Sequence, residues 1–475
     1  MALANRSLVT IDDLSNGEIE ALFSLADEMS GSMNEQLGLC QGKIMASLFF
    51  EPSTRTRLSF ETAMHRLGGS VISVVDVKAT SLAKGESIAD MARVVGSYAD
   101  IIVIRHPWEG AAKVVADYAG VPVINAGDGG HEHPTQTLCD LYTLTKERQT
   151  LKGLRIALWG DLKHGRTIHS LTYALARFGA IIHFRSGPGL ELPEYVKRKL
   201  ETEYTGRLER YENLSGVLKE GLFPLDAIYI TPNRPHQLAN IPDVSLHIEL
   251  KKGVEALYVT RLQMERLSAK TKGEGLKEGY PVVDKKLLKE KEFEKTLIMH
   301  PLPRVDELAR ELDADPRSMY FKQAARGVPV RMALVALLLG AKKASILKED
   351  NSFIQKREHP LYKRGYGVRC PNRDCVSRRE TKYIKPEFKI VGHHPLILRC
   401  VYCEHEVRPG YIASSEWHDG RLIHKKYHSA DSHWSRIIKP ENMIIFSSEK
   451  EAKAHGFKPS HYAKSRCHSN DIRKS

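Results

Sequence analysis

The sequence lacks the long apolar runs that membrane-spanning segments require. No apolar stretch approaches the roughly 18 residues that an α-helix needs to cross a bilayer. The first residues, MALANRSLVTIDDL, also lack the basic and then apolar pattern of a secretory signal. We therefore expect a cytoplasmic protein that has no membrane partner.

Cysteine is scarce as well, with seven residues in a chain of 475. Three of the seven stand alone and are Cys40, Cys139 and Cys467. The other four form two close pairs, Cys370-x4-Cys375 and Cys400-x2-Cys403, separated by 24 residues. An odd number of cysteines without a signal pattern argues against a disulfide framework, whereas two short-spaced pairs are typical of a four-thiolate zinc site. We predict one structural zinc ion here, and four unliganded core cysteines are the alternative.

Acidic residues are in short supply toward the C-terminal end. Residues 345–475 hold 26 Lys and Arg against 15 Asp and Glu, which accounts for most of the formal net charge of +13. A basic segment that contains a zinc site is typical of a nucleic-acid-binding zinc ribbon. The preceding residues are nearly neutral, so the basic character is local.

Strand-like apolar runs alternate with helical patterns from about residue 40 to residue 340. A first series comprises KIMASLFF, SVISVVDV, DIIVIR and VPVINAG, and a second comprises LRIALWG, AIIHFRS, DAIYIT, ALYVT and TLIMHPLP. Such repeated units indicate parallel sheets with helices on both faces, so we predict two doubly wound α/β domains. We interpret DAIYIT and ALYVT as two strands of one sheet rather than as a duplication. The predicted domains are residues 1–150, 151–345 and 346–475, the last a small zinc-ribbon-like β domain.

The stretch FFEPSTRTRLSFE, residues 49–61, places a turn between a strand and a helix. Hydroxyls and backbone N–H groups at a helix N-terminus favour an anion, and guanidinium groups suit phosphate. The residues of this loop that bear such groups are Ser53, Thr54, Arg55, Thr56 and Arg57. The loop therefore predicts a phosphate site, and a capped surface helix with solvated arginines is the alternative.

A second turn of this kind lies in WGDLKHGRTIHS, residues 159–170. Gly160 and Gly165 have the spacing of a phosphate-binding G-x-x-x-x-G-K-[ST] loop, but Arg166 replaces the lysine. The spacing alone leaves two hypotheses, a nucleotide site and a site for a different anion.

Polar residues also follow three other strand-like runs. Arg105 and His106 follow DIIVI, His133 and Gln136 lie in HEHPTQT, and HPLPRVDE begins at residue 300. In open α/β sheets, ligands bind beyond the carboxyl ends of the strands, so these residues should converge on one crevice.

Seven stretches together resemble the catalytic chain of the aspartate carbamoyltransferase family. In sequence order they are PSTRTRLSFE, TSLAKGES, RHPWEG, HPTQTLCDL, GDLKHGRTIHSL, VTRLQMERL and HPLPRVDE, and the resemblance covers about residues 5–340. It implies an enzyme that converts carbamoyl phosphate and L-aspartate to N-carbamoyl-L-aspartate and phosphate, a step of pyrimidine biosynthesis. The departing phosphate would accept the proton, so no strong protein base is required.

The resemblance also implies which residues bind carbamoyl phosphate. Arg105, His133 and Thr56 would polarise the carbamoyl oxygen, on which negative charge develops during attack. Gln136 would hold the amide. The implied contacts to the phosphate and to both substrates come from Ser53, Thr54, Arg55, Thr56, Ser81, Pro301 and Leu302.

On the aspartate side, the resemblance implies that Arg166, Arg261 and Gln263 bind the carboxylates. The GDLKHGRT loop is then a carboxylate site rather than a nucleotide site. Because an apparent insertion spans residues 232–256, Thr231 and Arg234 are alternatives to Arg261. Ornithine carbamoyltransferases carry Cys where this chain has Pro301, so aspartate is the expected acceptor.

Ser81 and Lys84, in TSLAKGES, resemble residues that reach into the active site of a neighbouring subunit. The resemblance therefore implies a homo-oligomer with shared sites, most simply a trimer or a pair of trimers.

The stretch VRCPNRDCVSRRE…LRCVYCEHEV resembles the zinc domain of the regulatory chain of the same family. The segment between Gly340 and Cys370 is too short for the nucleotide-binding domain of that chain, so we predict a scaffold without the usual effector site. Residues 427–463 faintly resemble a metal module of DNA-repair proteins, but Ser432, Ser460 and Ala463 replace its cysteines, which predicts a packed remnant. The rival hypothesis is a nucleic-acid-binding zinc ribbon attached to an inert enzyme fold.

Overall fold

The computed structural model describes most of the chain: residues 3–75, 84–186, 189–204, 208–210, 225–231, 254–261, 282–346, 352–355, 358–362, 365–415, 417–418, 421–422 and 425–460. The chain divides into two compact units. The first unit comprises Met1–Pro107 and Val114–Lys356, and the second comprises Trp108–Lys113 and Arg357–Ser475. Within the described ranges, no helix combines the length and the apolar character needed to span a membrane.

The first unit begins with a four-stranded parallel sheet. Its strands are β1 (Ile44–Phe49), β2 (Ser70–Val74), β3 (Ile101–His106) and β4 (Val123–Asp128), in the order β2-β1-β3-β4. The helices of this part are α1 (Asn16–Gly31), α2 (Thr54–Arg66), α3 (Ile88–Gly96), α4 (Ala111–Tyr118) and α5 (Pro134–Arg148), and the first three residues of α4 belong to the second unit. Every residue of β3 and β4 is buried, as expected for continuous apolar strands that are covered on both faces.

A six-stranded parallel sheet follows in the same unit. Its strands are β5 (Arg155–Trp159), β6 (Ile181–Arg185), β7 (Leu208–Arg210), β8 (Ala227–Ile230), β9 (Ala256–Val259) and β10 (Leu297–Met299), in the order β10-β9-β8-β5-β6-β7. The helices are α6 (Arg166–Arg177), α7 (Glu194–Glu203) and α8 (Tyr320–Leu338). The stretches DAIYIT and ALYVT contain β8 and β9, which are neighbours, and this confirms their interpretation as two strands of one sheet.

Helix α8 returns to the first sheet region after the second sheet is complete. It packs against α1, α2 and α5, and its residues from Val330 to Leu338 are almost fully buried. The helix ends where Gly340 adopts a φ of 71°, a left-handed conformation that favours glycine directly after a helix. One continuous apolar core therefore includes residues from both sheets and from α8.

The second unit consists of small sheets. Its strands are β11 (Leu361–Tyr362), β12 (Gly365–Tyr366), β13 (Phe388–His393), β14 (Leu396–Cys400), β15 (Glu406–Val407), β16 (Tyr411–Ser414), β17 (Trp417–His418), β18 (Arg421–Leu422), β19 (Lys426–Ser429), β20 (Met443–Phe446) and β21 (Lys458–Pro459). The sheet with the order β11-β13-β14-β15 is antiparallel, the sheet with the order β12-β20-β16-β19-β21 is mixed, and β17 pairs with β18. Three short helices are α9 (Val376–Arg379), α10 (Trp434–Ile437) and α11 (Glu449–Ala454).

The mixed sheet of the second unit has its own small core around Tyr427, Phe446 and Phe457. Residues 427–460 therefore fold as part of a packed sheet. The two parallel sheets and the antiparallel cysteine-bearing sheet confirm the predicted fold class of two doubly wound α/β parts and a small β part. The exact domain boundaries stay predictions.

Candidate active site and metal centre

A cavity of about 570 Å³ lies beyond the carboxyl ends of the strands in both parallel sheets. Its lining comes from the segments that follow β1, β4, β5, β8, β9 and β10, from Arg105 near the end of β3, and from one face of α8. This is the place where open α/β sheets bind ligands. Each of the three polar stretches that were expected to converge on one crevice contributes lining residues, which include Arg105, His133, Gln136 and His300, but His106 is buried and is not among them.

The turn between β1 and α2 forms one wall of this cavity. Ser53, Arg55 and Thr56 line it, and no side-chain hydrogen bond caps the first turn of α2. The backbone N–H groups of that turn are thus available to an anion. Burial, with a smaller contribution from Arg261, lowers the pKa of Arg55. Thr54 is exposed and is not among the residues that line the cavity.

Arg105, at the end of β3, contacts two other groups of the cavity. Its Nη1 lies 3.4 Å from Nε2 of His133 and donates to the Ala126 carbonyl at 3.3 Å, while Nη2 donates to Glu51 at 3.2 Å. The side chain is only about one-tenth exposed. A guanidinium fixed at several points is a pre-organised donor, which is what stabilisation of developing negative charge requires.

His133 is the residue that precedes helix α5, and its backbone N–H donates to Ser170 Oγ at 3.0 Å. The pKa of His133 lies well below its usual value, first because the ring is buried and then because Arg105, Arg166 and Arg331 are positively charged. The imidazole is therefore neutral at physiological pH and offers one N–H donor.

Glu51 is a site residue that the sequence reasoning missed. Its carboxylate accepts two hydrogen bonds from Arg166, at 2.9 and 3.0 Å, besides the bond from Arg105. Arg166 also donates to the Gly129 carbonyl at 2.8 Å. Glu51 thus holds a guanidinium from each of the two sheet regions. The signal was its place directly after β1, in the stretch FFEPSTRTR.

Gln136 is held by a buried carboxylate, Asp140, one turn further along α5. Gln136 and Gln323 each donate to Oδ1 of Asp140 at 2.8 Å, and the Tyr258 hydroxyl donates to both oxygens at 3.1 Å. Burial raises the pKa of Asp140 to about 7, although these hydrogen bonds and Arg331 oppose the shift. Asp140 was not predicted, because a single Asp in an apolar helix gives no sequence signal.

The raised pKa of Asp140 predicts a specific pH dependence of stability. The native state retains the proton between about pH 4 and pH 7 while the unfolded chain has released it, so the wild type loses stability as the pH rises through this window. Asp140→Asn is isosteric and keeps one acceptor oxygen for the two glutamines. We expect the difference between the thermal midpoints of the variant and of the wild type to shift in favour of the variant from pH 5 to pH 7. Above pH 7 this difference should stay constant. Parallel profiles would contradict the raised pKa.

The HPLPRVDE stretch is fixed by a buried pair of side chains. His300 Nδ1 accepts from the backbone N–H of Leu302 at 2.8 Å, and Nε2 lies 2.8 Å from Glu307 Oε1. The accepting role of Nδ1 places the ring proton on Nε2, which donates to Glu307. Pro301 and Leu302, which are predicted to contact the substrates, line the cavity.

The remaining predicted residues are placed only in part. Arg261 lines the cavity together with Thr231, the threonine that was its alternative. Lys84 is exposed and is not among the residues that line the cavity of its own chain. Three predicted residues lie outside the described ranges, and they are Ser81, Arg234 and Gln263.

The second unit brings the four clustered cysteines together. Their ligand atoms all lie within 4.8 Å of one another, and all four residues are buried. The Sγ atoms of Cys370 and Cys403 are 3.4 Å apart, and those of Cys375 and Cys400 are 3.8 Å apart. A tetrahedral zinc ion with Zn–S bonds of about 2.3 Å requires Sγ separations of about 3.8 Å. The donor set thus fits a four-thiolate metal site.

Residues 108–113 belong to this second unit and contact the turn that carries Cys375. The Glu109 N–H donates to the Asp374 carbonyl, and the Val376 N–H donates to the Glu109 carbonyl, both at 2.9 Å. Glu109 Oε2 also accepts from Asn372 at 2.7 Å. The backbone on both sides of Cys375 is thereby fixed.

Three family models match the chain in sequence order. Residues 6–146 match the carbamoyl-P binding domain of aspartate/ornithine carbamoyltransferases, and residues 239–338 match the Asp/Orn binding domain. Residues 364–412 match the metal binding domain of the aspartate carbamoyltransferase regulatory chain.

Curated relatives and solved structures of aspartate carbamoyltransferases are also similar to this chain. The catalytic subunit of aspartate carbamoyltransferase from Thermoplasma acidophilum is 45% identical over 340 residues, which cover 71% of this chain and 99% of the relative. The catalytic subunit of the aspartate transcarbamoylase of M. jannaschii is 41% identical, with a TM-score of 0.55 over 70% of this chain and 98% of that one. The Trypanosoma cruzi enzyme in complex with carbamoyl phosphate and aspartate is 34% identical, with a TM-score of 0.57 over 71% and 98%.

These similarities cover almost the full length of the catalytic-subunit relatives, and the cavity holds most of the expected residues that the structure describes. The chain belongs to the aspartate carbamoyltransferase family, and the same polypeptide carries a metal-binding domain of the regulatory-chain type.

Proposed function

We propose that the cavity transfers the carbamoyl group of carbamoyl phosphate to the amine of L-aspartate, with the site residues in the roles described below. The observation that carries the proposal is the convergence of the α2 N-terminus, Arg105 and His133 with Arg166 and Arg261 in one cavity. The first three suit an acyl phosphate, which presents a phosphate group and a carbonyl group. The last two suit a dicarboxylate.

The phosphate of carbamoyl phosphate binds at the start of α2. Ser53 and Thr56 offer hydroxyls, the first turn offers backbone N–H groups, and Arg55 offers a guanidinium. Thr54 contributes through its position in that turn rather than through a side chain in the cavity.

The carbamoyl carbonyl lies against Arg105, His133 and Thr56, and Gln136 binds the amide nitrogen. The amine of aspartate attacks the carbonyl carbon, and the bond from that carbon to the phosphate oxygen breaks. Negative charge develops on the carbonyl oxygen, where Arg105 and the N–H of the neutral imidazole donate. The leaving phosphate accepts the proton from the amine, so the residues of the site bind and polarise without acting as a strong base.

The carboxylates of aspartate bind to Arg166, Arg261 and Gln263. Glu51 keeps the Arg166 guanidinium in place, which reduces the conformational freedom that binding would otherwise remove. Two cationic side chains at this end favour a dicarboxylate over the amine side chain of ornithine.

A colorimetric assay for carbamoyl-aspartate on the purified chain tests this proposal. We expect turnover with aspartate and none with ornithine, and a raised KM for aspartate in Arg261→Ala. Absence of turnover with both acceptors, together with nucleic-acid binding, would favour the rival zinc-ribbon hypothesis, for which the basic segment 345–475 is the supporting feature.

The metal of the second unit is proposed to be zinc, because four thiolates in a closed set are a typical structural zinc site. The metal supplies folding energy and no chemistry to the reaction. A reducing compartment keeps such thiols free of disulfides, which is consistent with a cytoplasmic location.

We further propose that the enzyme is a ring, most simply a trimer, in which Ser81 and Lys84 complete the site of a neighbour. Helix α2, the edge strand β2 and the residue after that strand expose the apolar residues Leu58, Ile72 and Val75, of which 48%, 42% and 55% is accessible. Exposed apolar side chains on neighbouring elements of this kind are typical of surfaces buried in an assembly.

Mixing of two inactive variants tests the shared site. Lys84→Ala and His133→Ala should each be inactive alone, and their mixture should regain some activity, because some sites then draw both residues from intact chains. The measurement is the activity of subunits dissociated and reassociated together. Absence of recovery, with subunit exchange demonstrated, would indicate that each site is built within one chain.

Regulation by nucleotides gives a further prediction. Since residues 341–369 are too few for an effector domain, aspartate saturation curves should be unchanged by CTP and by ATP. A shift in half-saturation that disappears on truncation near residue 345 would reveal an effector site in the C-terminal region.

A further inference from the structure

Helix α8 presents one face to the cavity, and that face carries a single charged residue. The α8 residues that line the cavity are Gln323, Ala324, Gly327, Val328 and Arg331. Three of these side chains are small or apolar, and Gln323 is engaged by Asp140. Arg331 is therefore the one cation that this helix places in the lining.

Arg331 is buried but has no ion pair or hydrogen bond to any part of the chain that the structure describes. Only 5% of the residue is exposed, its Nε is buried without a partner, and the guanidinium lies over the ring of Phe60 at 5.1 Å. Arg105 and Arg166, by contrast, share the carboxylate of Glu51. The cavity therefore contains a guanidinium that no acidic side chain neutralises by direct contact.

A glycine in α8, Gly327, leaves the space that this guanidinium occupies. Side chains on a helix point toward its N-terminus, so Arg331 extends over the residue four positions earlier, Gly327. A Cβ at position 327 would lie 2.3 Å from Nη1 of Arg331. The absence of a side chain at Gly327 thus permits the position of Arg331 against Phe60 and beside Cys139.

A buried cation without a partner is costly, since its desolvation is not offset by an opposite charge. Its charge contributes to the pKa values of His133, which precedes α5, and of Cys139 and Asp140 within α5. These residues, with Phe60 on α2, belong to the first sheet region. The charge of Arg331 therefore acts on the carbamoyl phosphate half of the cavity rather than on the aspartate half.

We propose that Arg331 is a further anion-binding residue of the site, and that it attracts the phosphate group of carbamoyl phosphate and the phosphate product from the α8 side. This inference rests on the proposed function of the cavity. The incoming dianion supplies the direct ionic partner that Arg331 lacks among the described residues. After burial, Arg105 and Arg166, the same cation also contributes to keeping His133 neutral.

Calorimetric titration of the full chain with inorganic phosphate tests this inference without requiring turnover. Arg331→Met removes the charge at similar length and should weaken phosphate binding by roughly ten- to a hundredfold, the range for hydrogen bonds to charged groups. Arg331→Lys keeps the charge and should restore most of the affinity. Arg326→Met is the matched control, since Arg326 lies on the same helix, pairs with Glu147 and does not line the cavity. It should bind phosphate as the wild type does.

Thermal unfolding separates this role from a structural one. Without phosphate, Arg331→Met should be at least as stable as the wild type, because an uncompensated buried charge has been removed, but saturating phosphate should raise its midpoint less. Gly327→Ala, which displaces the guanidinium and keeps its charge, should also weaken phosphate binding. A destabilised Arg331→Met with unchanged phosphate affinity would overturn the inference. Inactivity of the wild type with intact phosphate binding would instead refute the proposed function alone.

Discussion

Replacement of Arg105 by methionine is expected to lower kcat/KM for carbamoyl phosphate by about 10²- to 10³-fold, the usual effect of removing one donor from a site of developing negative charge. Arg105 contacts His133 and Glu51 in the cavity, so its loss removes a donor to the carbonyl oxygen and one of the groups that hold Glu51. Steady-state kinetics with both substrates varied would measure the change.

The effect of this substitution should appear mainly in kcat if Arg105 acts on the transition state. A change confined to KM would indicate a role in binding alone. Arg93→Met is a suitable control, because Arg93 is exposed, pairs with Asp90 and does not line the cavity. Nearly normal kcat in Arg105→Met would contradict the proposed polarising role.

Much of the cavity could be predicted from sequence because its residues follow strands. The ends of parallel strands meet at one edge of a sheet, so polar residues directly after apolar runs are brought together whatever the details of packing. Arg105, His133 and the STRTR loop were placed by this rule. Ser53, Arg55 and Thr56 of that loop line the cavity with Arg105 and His133, whereas Thr54, Arg57 and His106 are not among the lining residues. The residue-by-residue roles required the family resemblance in addition.

The residues that sequence reasoning missed act through contacts between distant segments. Glu51 binds Arg166, which lies 115 positions later, and Asp140 binds Tyr258 and Gln323, which lie 118 and 183 positions later. The hydrophobic periodicity of a sequence indicates which face of a helix or strand is buried, but it does not indicate which distant residues contact that face. Arg331 did leave a signal, because it is a lone cation in the apolar stretch VPVRMALVALLLG, and the structure shows that this cation is buried.

In the second unit, short sequence spacing predicted the candidate metal site, whereas the sheet depends on contacts between distant segments. Two short cysteine pairs predicted the cluster of four thiols, because the short spacing within each pair already brings two ligands to one turn. The packed sheet that contains residues 427–460 could be anticipated only as a remnant of a weakly similar module. Its strand order depends on pairings such as β12 with β20, which join segments about 80 residues apart.

Removal of the metal is expected to unfold the second unit and to leave the first unit able to bind phosphate. Structural zinc sites contribute about 10–16 kcal/mol of apparent binding free energy, which a small β domain with a limited core cannot replace. Hydrogen exchange after chelation should therefore accelerate in β14, which ends at Cys400, and in its neighbour β13. Exchange in β3 and β4 should change little. The core of the first unit contains none of the four ligands.

Single substitutions should reproduce this selective loss. Cys375→Ser and Cys400→Ser should abolish the content of one zinc per chain measured by elemental analysis, since removal of one of four thiolates opens the tetrahedral site. Cys40→Ser is the contrasting control: Cys40 is buried in the core of the first unit, so that unit should lose stability while the zinc content stays at one. Freshly purified wild type without zinc, or Cys400→Ser with unchanged exchange in β13 and β14, would show that the four thiols are an ordinary apolar core rather than a metal site.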